Sequence, residues 1–561
     1  MVKRLFAFQL VPQSPSHSKQ FLLRQGLVLL SLFAVFSLIL GTLVSLAVLQ
    51  PAILKLHSAG PLGAQMARPD IVDRNGALLA TDIEAPSLFA NPSGLMDPVR
   101  VVKRLKTALP ELDEMDLLRQ LTHEKRQFVF IKRGVHPSKA QEVFDMGLPG
   151  VDVTQEVRRV YPKGQMAGYV LGHVDIDNIG RAGIEKYIDQ EMADGRYEAD
   201  GQDVSAVMLS LDVGASHILN EELVRAMRLY KAKAAAGVVM NVHSGEVIAM
   251  ASLPRVDPQK PAQRLKDDRF DRVTGGVFEL GSIFKTITVG MVLDQGVASL
   301  ESKVDVRGPL KIDGHVIHDF HPYKGELSLR DVFVRSSNIG TAKFARRVTP
   351  EEHKDFLRKL RLIDPLKTEI GGIAKPETSS NWGKVHSVTA SYGHGIAVSP
   401  LQFMASFGAL VNGGIYVPPT FLKRDERQAK KLGERVISVE TSQAIRRLLR
   451  QNVVDLHGSG KQAEVAAFPV GGKTGTAEKV VNGTYKDGQV RTSFISVFPY
   501  DQPEYMVFVM LDEPHAVAAS RGLIVAGANA APTTRRIIAR LGPHLKMKPF
   551  FPVPYRLTAQ R

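Results

Sequence analysis

The stretch that most constrains this 561-residue chain is its first uncharged one. From Gln25 to Leu54 no residue carries a charge, and Gly26 to Leu49 is dominated by Leu, Val, Ala, Phe and Ser. A helix of that length crosses a bilayer core of roughly 30 Å. The run is longer than the apolar segment of about 7–15 residues in a cleaved signal peptide, and no clean small-x-small site ends it. It is therefore read as a single transmembrane helix over residues 26–50. Lys3, Arg4, Lys19 and Arg24 precede it and the first acid is Asp70. Positive flanks stay on the cytoplasmic side, so residues 1–25 form a cytoplasmic arm and everything after the span is exported.

Export changes what the charge means. A net charge of +15 ordinarily suggests nucleic acid. A basic exported domain beside a membrane instead meets anionic envelope polymer and lipid head groups, and no nucleic-acid partner is expected. The chain has no cysteine, which excludes disulfides, a thiol nucleophile and thiolate metal sites. Its length exceeds one hydrophobic core and calls for several domains. Residues 51–206 mix short alternating stretches (Phe128-Val129-Phe130-Ile131) with turns such as Arg74-Asn75-Gly76 and Tyr161-Pro162-Lys163-Gly164, an α+β pattern. From Val207 the pattern changes. Met208 to Asp212 reads as a strand, Ser216 to Lys231 as an amphipathic helix, and residues 237–251 as a hairpin. Strands follow near residues 471–477, 492–497 and 505–512, with helices over 283–293, 329–347 and 441–456 between the two strand groups. The fold class is multidomain α+β, with a sheet covered by helices over residues 207–545. Residues 546–561 form a tail.

Gly281-Ser282-Ile283-Phe284-Lys285 opens an apolar helical run. Residues three apart share a helix face, which brings the Lys285 amine within reach of the Ser282 hydroxyl. A serine hydroxyl attacks only when a neighbour takes its proton, and an ammonium cannot, so Lys285 must be neutral. Burial among Ile283, Phe284, Ile287 and Val289, with a second cation nearby, lowers its pKa. Four letters do not identify the site, because Ser16-His-Ser-Lys19 repeats them in the cytoplasmic arm. Ser336-Ser337-Asn338 falls within the expected helix 331–347. A hydroxyl there can relay a proton, and the Asn338 amide can hold the lysine and bind a carbonyl. The same letters at Ser379-Ser380-Asn381 lie in a turn and serve the local backbone.

Gly471-Gly472-Lys473-Thr474-Gly475-Thr476-Ala477 fits a relaxed phosphate-binding loop from Ala467 onward. Such a loop must run into a helix, whereas Glu478 to Gly488 is rich in turn residues. On a strand, Lys473 points a cation at a carboxylate and Gly475 admits close backbone approach. His315, His318 and His321 are read as part of a loop near the cleft: on a strand the first two face opposite sides, and Gly314 and Pro322 oppose a helix. No metal or cofactor is expected.

Ser-x-x-Lys, Ser-x-Asn and Lys-Thr-Gly in this order are the signature of serine acyl-enzymes of the β-lactamase and penicillin-binding type. With them the chain resembles the class B penicillin-binding proteins, and most closely the FtsI-type division transpeptidases. The likeness extends to about Ala531 and includes Arg74-Asn75-Gly76, the stretch from Arg159 to Gly183-Ile184-Glu185, residues 392–402 and Asp512-Glu513-Pro514. The resemblance implies an elongated pedestal over 51–206 and a penicillin-binding transpeptidase domain with an antiparallel sheet over 207–545. It also implies Ser282 as acylated nucleophile, Lys285 as base, Ser336 and Asn338 as relay and amide contact, and Lys473 as carboxylate partner. Ser337, Thr474, Gly475 and Thr476 would contact substrate, and the backbone N–H groups of Ser282 and Thr476 would form the oxyanion hole. The implied activity is cofactor-free cross-linking of peptidoglycan stem peptides at the division septum, with β-lactams acylating the same serine. Implied partners are a separate membrane glycan polymerase of the SEDS type (FtsW-like) and divisome proteins, at the inner membrane.

Overall fold

The computed structural model describes residues 26–41, 68–123, 126–194, 206–481 and 484–550. The chain divides into two units, Met1–Ala67 and Arg68–Arg561. In the first, residues 26–41 form a helix whose apolar side chains, Leu27, Phe33 and Phe36 among them, are exposed. Among the described residues no helix is long and apolar enough to cross a membrane. The rest of the expected span, residues 42–50, and the arm with Ser16 lie outside the described residues.

The second unit begins with a five-stranded sheet. Strand β2 (Leu78–Ala90) pairs antiparallel with β1 (Ile71–Val72), β3 (Val129–Lys132) and β4 (Val151–Val160). Helices α1 (Pro98–Ala108), α2 (Glu114–Leu121) and α3 (Pro137–Asp145) start on side-chain caps from Asp97, Asp113 and His136. Leu88, Val102, Leu105, Leu121 and Val143 form the core of this layer. Its base is a buried charge cluster. Glu185, in α4 (Gly183–Ala193), accepts from Arg68 Nε at 3.0 Å and Arg159 Nε at 2.7 Å, and Arg159 also pairs with Asp82 at 3.1 Å.

The expected strand Met208–Asp212 is shorter than its apolar letters suggest. Only β5 (Val207–Met208) pairs, in parallel with β1. Leu209 then bridges to Leu422, and Asp212 leaves the extended run to cap α5 (Val213–Tyr230), accepting from Ala215 N–H at 2.8 Å.

Behind this stands the second sheet, formed by β6 (Ala234–Asn241), β7 (Val247–Leu253), β8 (Gly471–Val481), β9 (Thr484–Phe498) and β10 (Tyr505–Asp512) in the order β8-β9-β10-β6-β7, antiparallel throughout. Strand alternation assigns its two faces. Ala235, Val239, Val507 and Val509 pack with α5 and with Ile537 and Ile538 of the C-terminal helix. Ala236, Val238, Phe508 and Ile495 point the other way, into the core that holds Ile283, Phe284 and Leu410. Lys473 lies opposite Ile495 in the β8–β9 register, so its side chain joins the Ile283 face. Of the expected tail, the described part packs back: Met547 is buried and Phe550 N–H donates to the Ala467 carbonyl at 2.7 Å.

Candidate active site

Ser282 lies on a short 3-10 turn, Gly281–Phe284, and Lys285 is the first residue of α6 (Lys285–Asp294). The turn is pressed against β8. A Cβ on Gly281, whose φ is +57°, would stand 2.8 Å from the Thr476 carbonyl, and one on Gly475 would stand 2.4 Å from the Leu280 carbonyl. The glycines flanking the Ser282 turn and the Lys473 strand motif thus let two backbones meet. Gly393 continues the packing from a third segment, since a Cβ there would meet the Gly281 carbonyl at 2.2 Å.

The expected helix over 329–347 is two helices. Helix α7 (Leu329–Val334) ends before the motif and α8 (Asn338–Ala345) starts inside it. Between them Ser336 adopts φ +60°, a left-handed conformation that costs a non-glycine residue about 1–3 kcal/mol. Apolar periodicity runs through the break and conceals it. Local chemistry accounts for the break: Ser337 caps α8, its Oγ accepting from Gly340 N–H at 2.9 Å.

Left-handed Ser336 presents both its oxygens to lysines. Lys285 Nζ donates to the Ser336 carbonyl at 2.5 Å and to Asn338 Oδ1 at 2.7 Å, and lies 3.1 Å from Ser336 Oγ. Lys473 Nζ reaches the same Oγ at 3.0 Å and sits 5.8 Å from the centre of the Phe333 ring. Both lysines are fully buried. Burial, and then the charge of Lys473, hold the Lys285 amine well below the usual lysine range, with Asp319 pulling the other way. Burial alone brings Lys473 down to about 7.

Ser337, expected against substrate, is fully buried, and its hydroxyl donates to Asp319 Oδ2 at 2.7 Å. Its side chain is therefore a structural element of the site. Thr474 faces away from Lys473, its Oγ1 lying 2.5 Å from Ser459 Oγ. Thr476 is exposed beside the Ser282 turn and accepts from Ala526 N–H at 3.2 Å. The second Ser-Ser-Asn does serve its own turn, Asn381 N–H donating to Ser379 Oγ at 3.2 Å. The Lys-Thr-Gly strand runs on to Val481 and enters no helix, so it offers no phosphate cradle. Trp382, Tyr392 and Phe498 are buried in the cores, as packing would have them.

The loop with His318 closes one side of the site: its carbonyl accepts from Asn338 Nδ2 at 3.0 Å. Among the described residues no group of His, Asp and Glu is placed to hold a metal. Asp319 is a site residue that sequence reasoning does not reach, although it stands inside the segment His315–His321. An acid in a segment read as a loop carries no signal that it will cap a helix beginning at residue 338.

Two buried lysines sharing the hydroxyl of a Ser-x-Asn turn, beside a serine on a Ser-x-x-Lys turn, are the geometry of a serine acyltransferase. The comparisons with known proteins agree. The model of the penicillin-binding protein transpeptidase domain matches residues 235–539, and that of the penicillin-binding protein dimerisation domain matches residues 64–200. The chain is a class B penicillin-binding protein. It is 38% identical over 493 residues to the probable peptidoglycan D,D-transpeptidase FtsI of Caulobacter vibrioides, covering 87% of this chain and 82% of the relative. The solved transpeptidase domain of Burkholderia pseudomallei penicillin-binding protein 3 is 30% identical with a TM-score of 0.55, covering 61% of this chain and 98% of that one. Penicillin-binding protein 2X of Streptococcus thermophilus shares the fold at 20% identity, with a TM-score of 0.67 over 86% of this chain and 80% of that one.

Proposed function

We propose that this penicillin-binding protein is a peptidoglycan D,D-transpeptidase that cross-links stem peptides through a Ser282 acyl-enzyme during septal wall synthesis. The observation that carries the reading is the Ser336 hydroxyl held between Lys285 and Lys473 at 3.1 and 3.0 Å. Neutral Lys285 takes the Ser282 proton as Oγ bonds to the penultimate D-Ala carbonyl carbon. Negative charge develops on the carbonyl oxygen, where the backbone N–H groups of Ser282 and Thr476 receive it. As the C–N bond breaks, the proton passes through Ser336 Oγ to the departing D-Ala amine. Lys473 holds the donor's terminal carboxylate, and Asn338 orients both the base and the substrate amide. An amine from a neighbouring stem peptide then attacks the ester, restoring the Ser282 hydroxyl. A β-lactam follows the first half of this path, but its leaving nitrogen stays tethered and blocks the second.

The exposed apolar helix over residues 26–41 supports reading residues 26–50 as a membrane anchor, with residues 51–206 as pedestal, 207–545 as catalytic domain and 546–561 as tail. The basic residues Lys3, Arg4, Lys19 and Arg24 before the span support a cytoplasmic N-terminus and a catalytic domain outside the cytoplasmic membrane, working with a separate SEDS-type (FtsW-like) glycan polymerase and divisome proteins. The chemical assignment is tested by incubating the full chain with a D-Ala-D-Ala thioester donor and a labelled D-amino acid acceptor. Wild type forms the exchanged product and Ser282→Ala does not. Product formation by Ser282→Ala would refute the assignment.

A further inference from the structure

We propose that Asp319 is a positioning residue of this site, its carboxylate fixing Ser336 and Asn338 in working geometry and supplying a negative charge that faces Lys285. The proposal rests on the acyl-enzyme reading above. Asp319 follows the hairpin of Leu310–Ile312 and His315–Ile317. Its Oδ2 accepts from Ser337 Oγ at 2.7 Å, while its Oδ1 accepts from the backbone N–H groups of Asn338 and, at 3.0 Å, Ile339. Those N–H groups begin α8 and have no partner within the helix. The adjoining His318 carbonyl engages Asn338 Nδ2 at 3.0 Å, which turns Oδ1 toward Lys285. Ser336 holds φ +60° immediately before the three residues, Ser337, Asn338 and Ile339, that Asp319 ties down. A serine keeps such a conformation only when its surroundings over-determine it, and Asp319 supplies three of the determining bonds.

The carboxylate also acts through charge. The groups facing Lys285 are Lys473 from β8, Asp319 from this loop and His394 from the segment after the helix Lys384–Ala390, with Glu279 next to His394. Lys473 favours neutral Lys285, whereas Asp319 favours its ammonium form. Asp319 therefore moderates how readily the base is free, and it does so from the residue that also sets the base's hydrogen-bond partners.

The test is the rate of acylation of the full chain by a fluorescent penicillin across pH, with thermal melts, for wild type, Asp319→Asn, Asp319→Glu and Ser282→Ala. Asp319→Asn keeps the shape and removes the charge. Its acylation rate is expected to fall by about 10²-fold, the loss that follows a misplacement of about 1 Å at a reacting centre. Its acid limb is expected to move to lower pH, because Lys285 loses a charge that favoured protonation. Asp319→Glu keeps the charge and shifts the loop, so the rate falls and the acid limb stays. An Asp319→Asn rate equal to wild type, or a lower rate with the acid limb unmoved, overturns the proposal. Where Asp319→Asn melts below the assay temperature, Asp319→Glu decides: a reduced rate with an unmoved limb supports the proposal and an unchanged rate overturns it. If Ser282→Ala is still acylated, the acyl-enzyme reading itself fails. If it is silent while Asp319→Asn behaves as wild type, only the positioning role fails.

Discussion

Arg159 in the N-terminal sheet and Lys473 in the transpeptidase sheet are both buried cations, and their surroundings differ in sign. Burial pulls the Arg159 guanidinium down, but Glu185 and Asp82 outweigh it and leave it above its ordinary range. Around Lys473 burial meets no such counterweight, and the amine falls to about 7. Its near neighbour is a second lysine across one shared hydroxyl. The cluster around Glu185 closes its charges pairwise, with Arg68 and Arg159 sharing the two oxygens of Glu185. Paired charges tie distant segments together and gain nothing by moving a proton. A like charge across a hydroxyl destabilises the protonated form of Lys285, as the proposed role of that amine as a base requires.

The comparison breaks first at the base. Lys285→Ala is expected to slow β-lactam acylation by about 10⁴-fold or more, as loss of one member of a nucleophile-base unit does, while the melting temperature holds or rises. Glu185→Ala should reverse that pattern. It leaves Arg68 and Arg159 buried without their shared carboxylate, at a cost of about 3–5 kcal/mol in chemical denaturation, and the protein that remains folded acylates at the wild-type rate. A smaller effect lies in pH. Acylation by a carboxylate-bearing β-lactam should decline as pH rises through about 7, where Lys473 gives up its proton in the free enzyme. Lys473→Arg, whose guanidinium stays charged, should lose that alkaline decline. The same shift acts on stability. Between about 7 and the ordinary lysine range the unfolded chain binds the proton that the folded one has released, so stability rises with pH across that window. Smallest is the expected gain from Lys473→Met, about 1 kcal/mol of added stability in a thermal melt, with acylation abolished.

Much of this architecture was legible in order and not in contact. Lys473 on a strand follows from Gly471-Gly472-Lys473 running into Thr474, Thr476 and Val480-Val481, a stretch with no helix signal, and β10 was readable to its ends. The pairing of β6 with β10 was not, because the two strands lie far apart in the chain and alternation says only which residues share a face. The break at Ser336 was hidden because Val332, Phe333, Ile339 and Phe344 keep one apolar periodicity across it. Only the capping by Ser337 and the carboxylate of Asp319 set where α8 begins, and the second comes from outside the local window. The cluster around Glu185 posed the same difficulty: Arg68, Asp82, Arg159 and Glu185 each look like surface charges until the fold brings them together.

Ser282, among the serines that share its motif letters, is expected to be the acylated residue. That expectation is tested most directly by peptide-mapping mass spectrometry of the full chain after benzylpenicillin, with Ser16→Ala and Ser282→Ala alongside. The expected result is one penicilloyl adduct on the peptide that carries Ser282, present in wild type and Ser16→Ala and absent from Ser282→Ala. An adduct that persists in Ser282→Ala, or that maps to Ser336, would contradict the account.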